Sequence, residues 1–475
     1  MLFSSYNFVL LFLPIVVFIF YILKNNKHKK LQLYWLILAS FFFYICSVPA
    51  HLVLLLCSTF INYFFYKLLQ NKPHKLYLTV GILFSVIPLL YFKYTNFGID
   101  ILNLLFDANL TILNLFLPLG ISFVTFQQIA FLVDTYKGNI EEEYGFLEYL
   151  LFISFFPHIS SGPIIYHKTF FPLISKMYGI DWDKLSSGIY LFFMGLGKKV
   201  LIADNLALAV NYGYSNLETL NTSSGLLVSI LYTLQIYYDF SGYSDMAIGI
   251  ARMLQLDLPI NFNSPYKATT ITEFWNRWHM TLTHFLTHYI YIPLGGNRKG
   301  VARSYLNTLI VFFISGLWHG ASYTFILWGL LHGLFMIFTK HFKSVINKIP
   351  GFINHIVTFL FVNFTWIIFR SESFGTLRDF IYVFLRNDWG GIDTSILDTM
   401  LPSFLTQLLP QTAGNSVIAL ILLIILMLIT LCAKNTQERI LLKPLGMTSM
   451  VWVLLIGILS IFSMSGINTF IYAYF

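Results

Sequence analysis

The sequence predicts an all-α, polytopic integral membrane protein of about 10–12 transmembrane helices, with re-entrant or interfacial helices around a tunnel. Two observations predict it. Of 475 residues, 57% are apolar and only 11% are Asp, Glu, Lys or Arg, whereas soluble domains carry roughly 25% charged residues. The apolar residues also fall in long unbroken runs instead of short alternating strands, and a bilayer, which offers no water to unpaired backbone groups, admits only helices or closed barrels. The formal charge of +8 is scattered between those runs, so nucleic acid is not an expected partner. Cys46, Cys57 and Cys432 lie inside apolar runs and read as small core hydrophobes, not as a disulfide framework or a thiolate zinc site.

The first run, Phe8 to Leu23, has no basic segment before it and no small-residue cleavage pattern after it, and reads as a retained span. The loop Lys24 to Lys30 follows, with four lysines and His28 in seven residues. The positive-inside bias puts it in the cytoplasm and the N-terminus outside. Further runs lie near residues 31–46, 50–69, 76–92, 110–133, 146–156, 188–210, 225–240, 305–317, 322–339, 352–369, 417–433 and 448–465. Those near 146–156 and 305–317 fall short of the ~20 residues of a straight crossing and are expected to be sheltered inside the protein. Lys340 to Lys348 and Lys434 to Lys443 repeat the cytoplasmic signal, and Asp388, Asp393 and Asp398 between them are expected outside. With no linker, low-complexity tract or obvious repeat, residues 1–475 read as one integrated membrane domain, its intramembrane polar residues concentrated at about 236–333.

The block Ile271 to Gly300 sets Arg277, His279, His284, His288, Arg298 and Lys299 among aromatic and aliphatic residues. With Glu273 and Arg303 it carries four fixed positive charges against one negative, which favours a phosphate-bearing ligand arriving from the cytoplasm. An interfacial helix whose cations snorkel to lipid headgroups fits the same pattern. In Phe312 to Gly333, His319 stands between Trp318 and Gly320 in an apolar run, and an ionisable group at membrane depth is a functional candidate. A structural histidine, a carrier's proton relay and a catalytic base all fit it. The glycine pairs 316/320 and 329/333 explain close helix packing without any catalysis. His284 and His288 share a helical face at i, i+4 but lack a third ligand, so no metal is expected. Pro157 and Pro163, around His158 and before His167, indicate a broken helix. The sequence holds no Gly-x-Ser-x-Gly elbow, phosphate loop or dinucleotide fingerprint, which argues against ATP-driven pumping.

Several polar motifs in order carry a resemblance: MLFSSYNFVLLFLPIV (Met1 to Val16), LPLGISFVTFQQIAFLVDTYKG (Leu117 to Gly138), FPHISSGPIIYH (Phe156 to His167) and IYYDFSGYSDMAIGIARMLQLDLPINFNSPY (Ile236 to Tyr266), then FWNRWHMTL, YIPLGGNRKG and LWHGASYTFILWGLLHG. Together they resemble the membrane-bound O-acyltransferase family, in its branch of bacterial alginate and peptidoglycan O-acetyltransferases. The resemblance implies an enzyme of a bacterial cytoplasmic (inner) membrane. It would take acetyl from cytoplasmic acetyl-CoA and pass it across the membrane toward hydroxyls of an extracytoplasmic polysaccharide. A periplasmic or membrane-tethered, serine-dependent acetyltransferase of esterase fold is the implied partner, beside membrane lipids.

The resemblance places the essential histidine at His319 and a second functional one at His279. A neutral buried imidazole would deprotonate the acceptor hydroxyl, and His279, Asn276 or the Trp278 N–H would donate to the developing oxyanion. Trp318, Gly320, Tyr238, Asp239 and Ser241 are further candidates for the substrate tunnel, with Asp239 able to pair with a histidine or to make a structural hydrogen bond. Arg298, Lys299 and Arg303 are candidates for the CoA phosphates. No metal or prosthetic group is expected. The chain departs from the pattern at Thr287-His288, where the family has Arg-Asp. D-alanyl transfer in teichoic acid synthesis, whose enzymes share FWNRWHMTL in outline, stays open beside a proton-coupled carrier or flippase and a non-catalytic scaffold, although YIPLGGNRKG favours the acetyltransferase branch.

Overall fold

A computed structural model describes residues 1–24, 29–140, 142–175, 181–401, 414–442, 446–464 and 471. Among them every regular element is a helix. Among the described residues seven helices are long and apolar enough to cross a membrane: Pro49–Asn71, Lys75–Phe106, Trp182–Ser215, Val301–His319, Tyr323–His341, Gly351–Arg370 and Asn415–Cys432. Three shorter apolar helices, Asn7–Leu23, Lys30–Ile45 and Met447–Ser463, accompany them. The chain is thus an all-α, multi-pass membrane protein, because a helix alone satisfies its own backbone along a continuous apolar run.

One run behaves differently from expectation and another is far longer than its apolar stretch. The run near 305–317, expected to be short and sheltered, extends at both ends into the nineteen-residue helix Val301–His319, long enough to cross. The run near 225–240 becomes Thr222–Met253, thirty-two residues, exposed only at Leu226. Its Ser, Thr, Gln and Asp side chains occur around the whole circumference, so it is an interior helix and is not counted among the apolar spans. By contrast Phe146–Ser154 is the expected sheltered helix, with Tyr149 to Ser154 all buried. Of the basic loops, residues 25–28 and Lys443 lie outside the described residues.

The described chain divides into two compact units. The first comprises residues 1–192 and 246–259. At its centre Ile121–Tyr136 is buried along nearly its whole length, and Phe131 packs on Tyr66 and Tyr149 at ring separations of 4.9 and 4.8 Å. Its buried polar groups answer one another: Tyr149 donates to Asn62 Oδ1 at 2.5 Å, and Asn62 to Ser85 at 2.8 Å. Pro157 opens the four-residue helix Phe156–Ile159, the break that the prolines indicate. This turn lies against Gly120, whose φ is +66° and where a Cβ would overlap the Ile159 carbonyl. His158 accepts from Gln127 Nε2 at 3.4 Å, and His167 Nδ1 lies 3.4 Å from Asp134 Oδ2. Both histidines sit in interior polar contacts.

The second unit comprises residues 193–245 and 260–471. Its tightest pair is the hairpin of Val301–His319 and Tyr323–His341. A Cβ on Gly316 would overlap the Phe325 carbonyl, and one on Gly329 the Phe312 carbonyl. The glycine stripe therefore brings backbone against backbone. In the same unit a π-helical turn, Lys198–Ala203, delivers two lysines to interior carboxylates. Lys199 Nζ lies 2.7 Å from both Asp204 Oδ1 and Asp239 Oδ1, and Lys198 Nζ lies 2.7 Å from Asp245. Asp239 also accepts the Ile471 N–H at 2.8 Å. Its carboxylate is paired with a lysine and not with a histidine, because a buried carboxylate needs a nearby cation and the neighbouring helix supplies one.

Candidate active site

Two short helices, Ile271–Trp275 and Met280–Leu286, carry His279 between them. Thr270 caps the first by accepting from the Glu273 N–H at 3.2 Å, and Glu273 accepts from the Thr269 N–H at 2.8 Å. Arg277 then pairs with Glu273 at 2.9 Å and donates to the Asn263 carbonyl at 3.0 Å. Burial by itself would raise the Glu273 carboxyl, but the Thr269 hydrogen bonds and the Arg277 guanidinium outweigh it and hold the group below its ordinary value. Arg277 is thereby engaged structurally, and the cations presented by this block reduce to Arg298, Lys299 and Arg303.

His279 adopts the left-handed conformation, φ 44° and ψ 52°, which is uncommon for a residue with a side chain. The surrounding backbone imposes it. The Asn263 N–H donates to the Arg277 carbonyl at 2.9 Å, and the Met280 N–H to the Asn261 carbonyl at 3.0 Å. Thr281 Oγ1 closes the frame on Asn261 Oδ1 at 2.6 Å. His279 has no exposed surface. It lies in this connection, outside the spanning helices, and burial lowers its imidazole from 6.5 to about 3, so the ring is neutral at pH 7.

His319 ends the Val301–His319 helix and is 1% exposed. Trp318 joins it to His279: the indole lies 5.9 Å from the His279 ring and 4.9 Å from the His319 ring. Phe240 covers His279 edge-on at 4.8 Å, while Phe369 and Trp328 close on His319 at 5.4 and 5.0 Å. The two motif histidines, forty residues apart in the chain, thus share one aromatic, water-poor enclosure within the second unit. Such a site can keep an imidazole neutral and strengthens any hydrogen bond made in it.

The other candidate residues divide. Trp278 is fully buried against Trp366 at 4.9 Å. Ser241 is buried, and Tyr238 shares a 2.8 Å hydrogen bond with Thr430. Asn276 is exposed, which removes its amide from the enclosed donors. Gly320 serves packing, since a Cβ there would overlap the Phe325 ring. The YIPLGGNRKG segment folds into a fixed loop with left-handed Gly295, Gly296 and Gly300. Asn297 accepts from Tyr291 at 2.5 Å and Ser304 at 2.9 Å, and Asn307 donates to the Gly296 carbonyl at 3.1 Å. Arg298 and Lys299 stand exposed on this loop and Arg303 is half-buried beneath it. Lys340, a residue of the next basic cluster, comes to the same place, with Nζ 5.7 Å from the centre of the Tyr291 ring.

His284 and His288 are exposed and stacked at 3.8 Å, 25° from parallel. Lone pairs lie in the ring planes, so nearly parallel faces do not converge on one ion. Among the described residues no group of three or more His, Cys, Asp or Glu side chains is placed to hold a metal.

Sequence reasoning missed His332. It is fully buried and its protons can be assigned by partner: the Trp275 N–H donates to Nδ1 at 3.3 Å, leaving Nε2–H to donate to Thr365 Oγ1 at 3.0 Å, whose own proton goes to the Val362 carbonyl at 2.9 Å. Trp328 lies between His332 and His319, 4.9 and 5.0 Å from their rings. The i, i+4 spacing of Trp328 and His332 along the sequence was the available signal, but it is equally that of an apolar helix face.

A model of the membrane-bound O-acyltransferase family matches residues 139–373. The chain is similar to a peptidoglycan O-acetyltransferase of Helicobacter pylori, 40% identical over 411 residues, which cover 78% of this chain and 77% of the relative. It is similar to a probable alginate O-acetylase of Pseudomonas aeruginosa, 35% identical over 386 residues, 78% and 72% of the two chains. A teichoic acid D-alanyltransferase of Bacillus subtilis is 30% identical over 283 residues, covering 55% of this chain and 70% of the relative.

Proposed function

The chain belongs to the membrane-bound O-acyltransferase family and is an acyltransferase; we propose that it moves acetyl from cytoplasmic acetyl-CoA toward hydroxyls of an extracytoplasmic polysaccharide such as peptidoglycan or alginate. The observation that carries this reading is the enclosed pair of His279 and His319 on either side of Trp318. His319 takes the proton of the attacking hydroxyl, and the aromatic enclosure keeps competing water away from the thioester. The exposed Arg298 and Lys299, with Arg303 and Lys340 beside them, provide the cations that the CoA phosphates require. Acetyl transfer is favoured over D-alanyl transfer because the acetyltransferase relatives align over 78% of the chain and the D-alanyltransferase over 55%.

On this reading both units serve one activity in the bacterial inner membrane, and a tunnel leads the donor to the histidines. The final acceptor is reached through a separate periplasmic, serine-dependent transferase, whose small hydroxyl enters more readily than a polymer. The test uses the purified protein with radiolabelled acetyl-CoA and polymer, with and without such a transferase. CoA release coupled to polymer acetylation only when the second protein is present supports the relay. Polymer acetylation by this chain alone refutes the relay, and absence of any CoA release with all components present refutes the acetyltransferase reading.

A further inference from the structure

Trp328 has no exposed surface, and among the described residues its indole N–H has no hydrogen-bond partner. A buried donor left unmade is costly and unusual. Its ring neighbours narrow what can satisfy it. Trp275, Trp366 and Phe369 surround it at 5.8, 5.9 and 5.2 Å and offer ring faces and edges. His332 offers no acceptor, because Nδ1 is taken by Trp275 and Nε2 is bonded to Thr365. The remaining polar ring against it is His319, edge-on to the indole at 5.0 Å and 88°. Among the described residues the Trp278 N–H is also buried and without a partner, but the rings around it belong to Trp366, Phe274, Phe262, Tyr266 and Tyr237.

We propose that the Trp328 N–H is the donor that holds the carbonyl oxygen of the thioester beside His319 and stabilises the oxyanion formed there. The inference rests on the acetyl-CoA reading above. In the step it serves, the acceptor hydroxyl oxygen bonds to the thioester carbon, the carbonyl π pair moves onto oxygen, and the hydroxyl proton passes to His319. The oxyanion then re-forms the carbonyl as the C–S bond breaks, and the proton on His319 goes to the departing thiolate, giving ester and CoA thiol. Trp328 donates a hydrogen bond throughout and loses no proton. Its pre-set position makes it effective: the indole is clamped between two histidines and stacked on Trp366, so it does not reorganise as charge develops.

The test replaces Trp328 with benzothienylalanine, in which sulfur stands where the N–H stood and the ring shape is kept. Loss of one such donor lowers kcat by about 10²–10³-fold, here with KM for acetyl-CoA and the thermal midpoint held near wild type. Trp328→Phe, which also removes the N–H, should lose at least as much kcat. A second readout needs no turnover: the infrared carbonyl band of carbonyl-labelled acetyl-CoA bound to His319→Ala protein should move to higher frequency when Trp328 is replaced. Unchanged kcat, or a bound band that does not move, overturns the proposal. If no bound acetyl-CoA band is seen even with Trp328 intact, the acetyl-CoA reading fails and takes the proposal with it.

Discussion

His279 and His319 are both buried yet differ in what holds them. His319 ends a spanning helix among rings, and its replacement removes a proposed base without breaking a backbone contact. His319→Ala is therefore expected to lower acetyl transfer by about 10²–10⁴-fold while membrane abundance stays near wild type, as read by CoA release and immunoblotting. His279 is also a backbone device. Its left-handed φ of 44° costs any residue with a Cβ about 1–2 kcal/mol, partly offset in glycine by the larger entropy of the unfolded chain. Both His279→Ala and His279→Gly should lose activity, but the Gly variant should unfold at a higher temperature than the Ala variant, by about 1 kcal/mol in stability. The same residue gives a pH dependence. His279 titrates at 6.5 unfolded and about 3 folded, and Glu273 is likewise lower folded than unfolded, so on acidification the unfolded chain takes up protons first. Their contribution is intact above pH 6.5 and is lost as pH falls toward 3. Thermal unfolding in detergent should accordingly be flat from about pH 8 to 7 and fall steadily below about pH 6.

Among the elements, the hairpin of Val301–His319 and Tyr323–His341 decides where His319 and Trp328 meet. Its approach depends on Gly316 and Gly329, whose missing Cβ atoms leave room for the Phe325 and Phe312 carbonyls. A backbone carbonyl cannot move aside as a flexible side chain can. Gly316→Ala must separate the helices, and overpacking of this kind costs about 1–3 kcal/mol. The expected result is a lowered thermal midpoint together with lost acetyl transfer, whereas Gly351→Ala, where nothing lies within 4 Å of the added Cβ, should change neither. The loop that follows Met280–Leu286 is an element of another kind, held by Asn297 and Asn307 so that its cations project from a fixed base.

For the whole molecule, the two basic segments that flank the hairpin, Arg298 to Arg303 and Lys340 onward, belong to one side of the second unit. Charge reversal at Arg298 and Lys299 together should raise KM for acetyl-CoA by at least about tenfold, with kcat at saturation little changed, since these side chains would contribute binding and not chemistry. An unchanged KM, measured in initial-rate assays, would move the donor phosphates elsewhere. The helical, membrane-spanning class was legible in the sequence because it follows from composition and run length, which need no neighbour to interpret. The candidate histidines were legible for a different reason: Trp318-His319-Gly320 and Trp278-His279 are local motifs, and the resemblance rests on such motifs. Other features were hidden. Asp239 could by sequence serve a histidine, but Lys199 lies 2.7 Å away, and Asn276, two residues before Trp278, turns outward. Periodicity could not show that Thr222–Met253 is buried along nearly its whole length, and the run before His319 read shorter than it folds. The sequence by itself determined the class of protein, its apolar helices and the residues capable of acid–base chemistry, because these depend on side-chain type and local order. Only the tertiary structure decided that His279, Trp318, His319, Trp328 and His332 form one ring-to-ring chain, with the His332 protons placed by Trp275 and Thr365. Burial and hydrogen-bond partners are set by residues distant in the chain, and they determine which polar groups are already satisfied and which remain for a substrate.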